Sequence, residues 1–235
     1  MYYFSLKAFA ATASFRIPEA HTFQQTLPLP PVTTLTGLVG AAVGLDFEEA
    51  MRFREENGLR LGVVGIHQGR IKDLWKYQKI KSGEVIPAIL LREFLTDLEL
   101  MLVVGSENKA IVTKTRVHFL HPCYALTAGN SDDLLKIRRV GEIEETTEIP
   151  LTDFKNTVIP GDHAGNYESM VDLEDIPLMK TIYPPQVYLL PVAFDFKGEE
   201  RRVSRRAHFT FIDTPVKLKN SLNGFLIEEE ALVLL

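Results

Sequence analysis

The chain has 235 residues, with 26 Lys and Arg against 31 Asp and Glu, a net charge of -5, and 46% hydrophobic residues. Those values exclude intrinsic disorder and a fibrous chain, and the length suits one large domain or two small ones that hold a core without staples. A single cysteine, Cys123, excludes intrachain disulfides and a Cys-rich zinc site, and leads us to expect a reducing, cytoplasmic location.

The opening MYYFSLKAFA has neither the basic flank nor the apolar stretch of a signal peptide. It alternates instead, with Tyr2, Phe4, Leu6 and Ala8 on one face, so a strand is expected over 2–10. Residues 22–31 hold three prolines and read as an extended loop. Thr33 or Thr34 then caps a helix whose Leu35, Leu38, Val39, Ala42 and Val43 share a face, while Gly37, Ala41 and Gly44 leave a small-residue side for close packing. A second helix is expected over 46–56, with Asp46 as cap and Glu48 and Arg52 paired at i,i+4. Residues 59–66 and 88–104 read as strands. Strands and helices in this order predict an α+β domain, ferredoxin-like or RRM-like, over 1–140, with helices on one face of the sheet. Beyond 140 short apolar pieces are broken by Pro and Gly, which predicts a smaller, loop-rich β lobe over 141–235. The longest weakly polar run, 37–45, is about half of the roughly 18 residues that suggest a membrane span, so no membrane association is expected.

Charge is unevenly placed. Arg70, Lys72, Lys76, Lys79 and Lys81 face only Asp73 within 67–81, which makes 67–86 a basic hairpin arm turning at Ser82-Gly83. As a strand it projects Trp75, Tyr77, Lys79 and Lys81 from one face. Amines that neutralise phosphates beside rings that stack on unpaired bases suit single-stranded RNA, whereas a solvated hairpin with its rings packed on the body is the plainer alternative. Lys136, Arg138 and Arg139 form a second basic cluster, and 197–206 a third. Arg16 and His21 lie on the chain entering the proline loop, so a phosphate could sit at the first helix N-terminus with Thr33 and Thr34, unless the threonines only cap.

Motifs for NTPases, dinucleotide binding, zincins and hydrolases are all missing. His118 and His121 make an H-x-x-H without a matching ligand pair, and Asp162-His163 reads as a turn, so no metal or other cofactor is assigned. A metal-independent ribonuclease needs a base and a donor for the leaving oxygen; His21, His67, Tyr77, Lys114, His118 and His121 could supply them.

Three stretches, SFRIPEAHTFQQTLPLPPVTTLTGLVGAAVGL at 14–45, PAILLREFLTDLELMLVV at 87–104 and HPCYALTAGNSDDLLKIRRV at 121–140, resemble CRISPR-associated protein family five of the RAMP superfamily. The resemblance implies a ferredoxin-like RAMP domain in a type I Cascade complex, of I-A or I-B kind. There, one copy grips the 5′ handle of the CRISPR RNA and contacts the backbone-forming and large subunits. It also implies that a hairpin at the position of 67–86 kinks the RNA, and that no residue is catalytic. In the I-C branch the family cleaves precursor RNA, which keeps an endoribonuclease as the alternative. The glycine-rich loop often found late in RAMP domains has no counterpart after Pro191. A pure assembly role is the third reading.

Overall fold

The computed structural model describes residues 1–20, 23–81, 83–171, 183–198 and 200–235, with the side chain of Lys81 excepted. In chain order the elements are β1 (Tyr2–Ala13), β2 (Phe15–Arg16), β3 (Phe23–Gln24), β4 (Thr26–Leu27), α1 (Val32–Val43), α2 (Phe47–Glu56), β5 (Arg60–Ile66), β6 (Gly69–Lys81), β7 (Glu84–Ser106) and α3 (Lys109–Leu120). There follow β8 (Lys136–Val140), β9 (Glu144–Glu145), β10 (Ile149–Phe154), β11 (Thr157–Pro160), β12 (Tyr167–Ser169), β13 (Gln186–Lys197), β14 (Glu200–Ile212), β15 (Val216–Ile227) and β16 (Glu230–Leu232). The protein is therefore α+β, built on antiparallel sheets.

The main sheet runs β13-β14-β11-β5-β7-β1-β8. Strand β1 alternates as its sequence demands: Phe4, Leu6, Ala8 and Ala10 enter a core shared with Val32, Leu35 and Val39 of α1 and Val112 and Phe119 of α3. Its other face is also covered. Tyr3, Val64, Met101 and Val103 meet Phe225, Ile227, Leu232 and Leu234 in a second core, under the sheet formed by β10, β15, β12 and β16. Helices on one face alone were expected; a sheet sandwiched on both sides is found, and it explains why β7 is buried without a break from Leu100 to Val104. Strands β11 and β14 add to the main sheet beyond β5, so it extends past residue 140.

Local chemistry fixes α2 as expected. Asp46 accepts from the Glu49 amide while Glu49 reaches back to the Asp46 amide, a complete capping box, and Glu48 pairs with Arg52 at 2.9 Å. Helix α1 departs from expectation, since it begins one residue before Thr33 and its cap is Pro31, with no side-chain capping bond. Pro31 holds the extended conformation of a cap residue, at φ -70° and ψ 164°, so Thr33 and Thr34 fall inside the first turn and neither side chain caps the helix. The expected small-residue side splits, Gly44 abutting Cys123 while Gly37 faces open space, and the closest helix contact is made by Gly40 against Ala50. Helix α3 was not expected. Asn108 caps it, and only Val112, Thr115 and Phe119 are fully buried, a stripe too narrow to stand out in the sequence.

The hairpin of β6 and β7 is paired from Gly69↔Thr96 to Lys81↔Glu84, so the arm includes ten more residues of β7 than the expected 67–86. Asp97, at φ 48°, marks where β7 leaves β6 and enters the main sheet beside β5.

Candidate nucleic-acid interface

The chain between β1 and α1 folds back on itself, pairing Arg16 with Thr26, and delivers Pro31 to the start of α1. Arg16, Thr33, Thr34 and Gly37 thereby line one groove of ≈ 650 Å³. Because Gly37 has no side chain and nothing lies within 4 Å of where a Cβ would stand, the helix presents bare backbone to the groove. The 127–129 loop forms a further wall. Gly129 sits at φ +106°, and any Cβ there would overlap the Ser14 carbonyl oxygen, so the loop can lie this close only with glycine. The opposite wall is the β13–β14 hairpin, which contributes Phe194 and Arg201. The Arg201 guanidinium lies 4.8 Å from the centre of the Phe47 ring and 5.2 Å from that of Phe194. Arg206 of the same hairpin pairs with Glu19 on the chain entering the proline loop, which ties the two walls together.

Strand alternation divides the arm into two faces. On one, Trp75 and Tyr77 stack with ring centres 5.6 Å apart and 22° between planes, with exposed Lys79 next along the strand. Beneath them Arg92, nearly fully buried, lies 4.6 Å from the Trp75 ring and 4.7 Å from Phe94, with Asp73 at 3.7 Å. The result is a ladder of Phe94, Arg92, Trp75 and Tyr77 in which an already charged support sits under the outer rings. Of the other face, Lys72 lies 5.2 Å from the Phe23 ring and Lys76 is exposed. Arg70 points an Nη toward the Thr26 carbonyl at 3.5 Å and lies 5.0 Å from the Tyr183 ring. The arm's base and the proline loop thus share one surface. Its cations, however, occupy two faces and cannot all meet one strand of phosphates from the same side.

The remaining site residues divide as follows. Arg138 and Arg139 are engaged by carboxylates, Arg138 with Glu99 at 3.2 Å and Arg139 with Glu228 at 2.7 Å, on the side of the sheet where Lys7 also meets Glu228. Burial raises the Glu228 carboxyl, but hydrogen bonds from Lys7 and Ser5 and the charges of Lys7 and Arg139 outweigh it and hold the group below the usual range. These two arginines belong to a structural network, and with exposed Lys136 they lie on β8, away from the groove. His21 falls outside the described residues, and Lys81 is described only as the last residue of β6. Among the ribonuclease candidates, Lys114 and His118 lie on α3, His121 caps its end, Tyr77 is on the arm and His67 is at the arm's base. Asp162-His163 forms the expected turn, in which Asp162 accepts from the Ala164 amide and His163 bonds the Pro160 carbonyl. Among the described residues no group of three or more His, Cys, Asp or Glu could hold a metal ion, and no helix is long and apolar enough to cross a membrane.

Sequence reasoning missed Gly129, Arg92, Phe194 and Arg201 as site residues. The 197–206 basic cluster and the Ala-Gly-Asn run at 128–130 were signals, but nothing local ties either to α1.

Comparison with known proteins gives one family and one fold. The model of the family described as CRISPR-associated protein (Cas_Cas5) matches residues 4–188. The fold is similar to that of a CRISPR RNA-guided surveillance complex chain, at 15% identity and TM-score 0.56, with 92% of this chain and 91% of that chain covered. It is also similar to a CRISPR protein from Archaeoglobus fulgidus, at 12% identity and TM-score 0.52 over 99% and 98%. A crystal structure of a Cas protein matches at 19% identity and TM-score 0.38, over 55% of this chain and 57% of its own length. No curated protein matches.

Proposed function

The chain belongs to the CRISPR-associated Cas5 family, and from that premise we propose that it is a noncatalytic RNA-binding subunit of a type I CRISPR effector complex, of I-A or I-B kind, where one copy holds the 5′ handle of the CRISPR RNA. The observation that carries this reading is the meeting of Arg16, Thr33 and Thr34 with Arg201 in one groove at the start of α1. A phosphate there receives two guanidinium groups, two hydroxyl donors and the positive end of a helix. The arm extends the surface, with Trp75 and Tyr77 offered to unpaired bases and Lys72, Lys76, Lys79 and Lys81 to phosphates. The spatial order β8-β1-β7-β5, with α1 and α3 as crossovers, supports a ferredoxin-like RAMP domain over 1–140, and residues 141–235 supply the second sheet and the far wall of the groove. Backbone-forming and large subunits are the protein partners this role requires. The cytoplasm is its place.

The endoribonuclease alternative rests on His21, which lies outside the described residues, and on His67, Tyr77, Lys114, His118 and His121, spread over α3, the arm and the arm's base; among these described residues none lines the groove. Mixing the chain with end-labelled repeat RNA in EDTA, while following anisotropy and product length, decides between the two. Salt-sensitive binding of intact RNA that weakens in Arg16→Ala is the expected result. A specific cut, or binding indifferent to Arg16, would overturn the reading.

A further inference from the structure

Beside the groove, α2 and the β13–β14 hairpin enclose a second cleft of ≈ 570 Å³, and Phe194 lines both. Four arginines reach this cleft. Two are neutralised, Arg52 by Glu48 at 2.9 Å and Arg60 by Glu148 at 2.7 Å. Among the described residues Arg54 and Arg205 take part in none of the ion pairs. The Arg54 Nε is buried with no hydrogen-bond partner. Burial lowers the pKa of this guanidinium and outweighs the opposing charge of Glu55, so its charged form is held at a cost. An anion entering the cleft would relieve that cost.

The floor is aromatic. Phe47 lies 5.3 Å from Phe194 and 6.2 Å from Phe196, with Phe194 and Phe196 themselves 6.4 Å apart, and both of these rings line the cleft half-exposed. Rings beside unpaired guanidinium groups match a ligand with one planar face and one anionic end. An acidic protein side chain would satisfy the arginines but has no flat face to lay on the rings. We propose that the cleft binds one nucleoside monophosphate unit of an RNA strand, its phosphate on Arg54 and Arg205 and its base on Phe194 and Phe196. The strand part rests on the RNA-binding function proposed for the groove, because RNA leaving the groove across Phe194 meets this cleft next. The site itself does not, since a free nucleotide presents the same chemistry.

Met51 also lines the cleft, and its methyl group, labelled with ¹³C in the full chain, reports occupancy by NMR. Adenosine monophosphate should shift that signal saturably, inorganic phosphate at least fivefold more weakly, and tetra-adenylate more tightly than the monomer. Arg205→Ala, which removes an exposed side chain, should weaken monophosphate binding at least fivefold, as should Arg54→Lys, whereas Arg202→Ala, a neighbour already paired with Glu200, should not. Several results would overturn the site: no shift with the nucleotide, equal binding of phosphate or of hexaglutamate, or an Arg205→Ala protein indistinguishable from Arg202→Ala. Monophosphate binding with tetra-adenylate excluded would overturn the strand assignment. Because the monomer needs no strand, its failure to bind leaves the groove and arm to the repeat-RNA titration.

Discussion

Trp75 is the only tryptophan in the chain, so its own fluorescence reports on the arm. It stacks on Tyr77 at 5.6 Å, is backed by Arg92 at 4.6 Å, and remains 42% exposed, so one side of the ladder is open to a base. A base stacked on this ladder contributes about 1–3 kcal/mol, which converts to roughly 5- to 150-fold in Kd. Trp75→Ala should therefore weaken binding of single-stranded repeat RNA within that range. The folded-state cost is separate: the stacked pair contributes about 0.5–1.5 kcal/mol and the cation–π contact, with Arg92 nearly buried and Trp75 partly exposed, about 1–2 kcal/mol. Both losses fall on an arm whose Leu74, Ile80, Val85 and Ile89 are exposed, so they loosen the hairpin and leave the global transition almost unmoved. In the wild-type chain, RNA should quench the Trp75 emission with the midpoint seen by anisotropy. An emission unchanged at saturating RNA, or a Trp75→Ala protein that binds as tightly as wild type, would refute stacking. A large drop in global Tm would show that the ring is part of the core.

The arm lysines are tested by salt. Replacing Lys72 and Lys76, which share one face of the arm, with Gln should lower the slope of log Kd against log salt by about 1.4, at about 0.7 for each phosphate left without its amine; an unchanged slope would mean these amines touch no phosphate. Gly129→Ala combines a left-handed backbone with a Cβ placed on the Ser14 carbonyl, and should cost about 3 kcal/mol or more in urea unfolding together with RNA affinity, since the loop walls the groove. Tyr3 donates to Glu144 at 2.8 Å, and its pKa is pushed up to about 12 by burial, by that hydrogen bond and by the Glu144 and Glu228 charges. The unfolded chain then loses this proton near pH 10 while the folded chain keeps it, so the contribution is present below pH 10 and lost as the pH rises toward 12. Alkaline unfolding followed with tyrosinate absorbance should show that fall, and Tyr3→Phe should flatten it.

What could be read from the sequence was what neighbouring residues decide among themselves. The alternation of β1, the capping box of α2, strand β5, the turn between β6 and β7, and the shared face of Trp75, Tyr77 and Lys79 all arise within a few residues, where period and capping chemistry act. Arg92 beneath Trp75 was not legible, because the contact depends on cross-strand register across a long hairpin. Helix α3 escaped notice because its buried stripe is set by packing on β1 and α1 rather than by its own composition. The second sheet was hidden for a related reason: β7 reads as apolar whether one face or both are covered. In the groove, the sequence singled out Arg16, Thr33 and Thr34 but left the threonines between capping the helix and holding a phosphate, and the cap position falls to Pro31, which makes no side-chain capping bond. Arg201 and Gly129 reach the same cavity only after β14 has returned to the main sheet and the 127–129 loop has closed against Ser14. Residue types and local periods are properties of a segment; a groove lined by residues 16, 33, 129 and 201 is a property of the packed sheet, which alone brings them to one cavity.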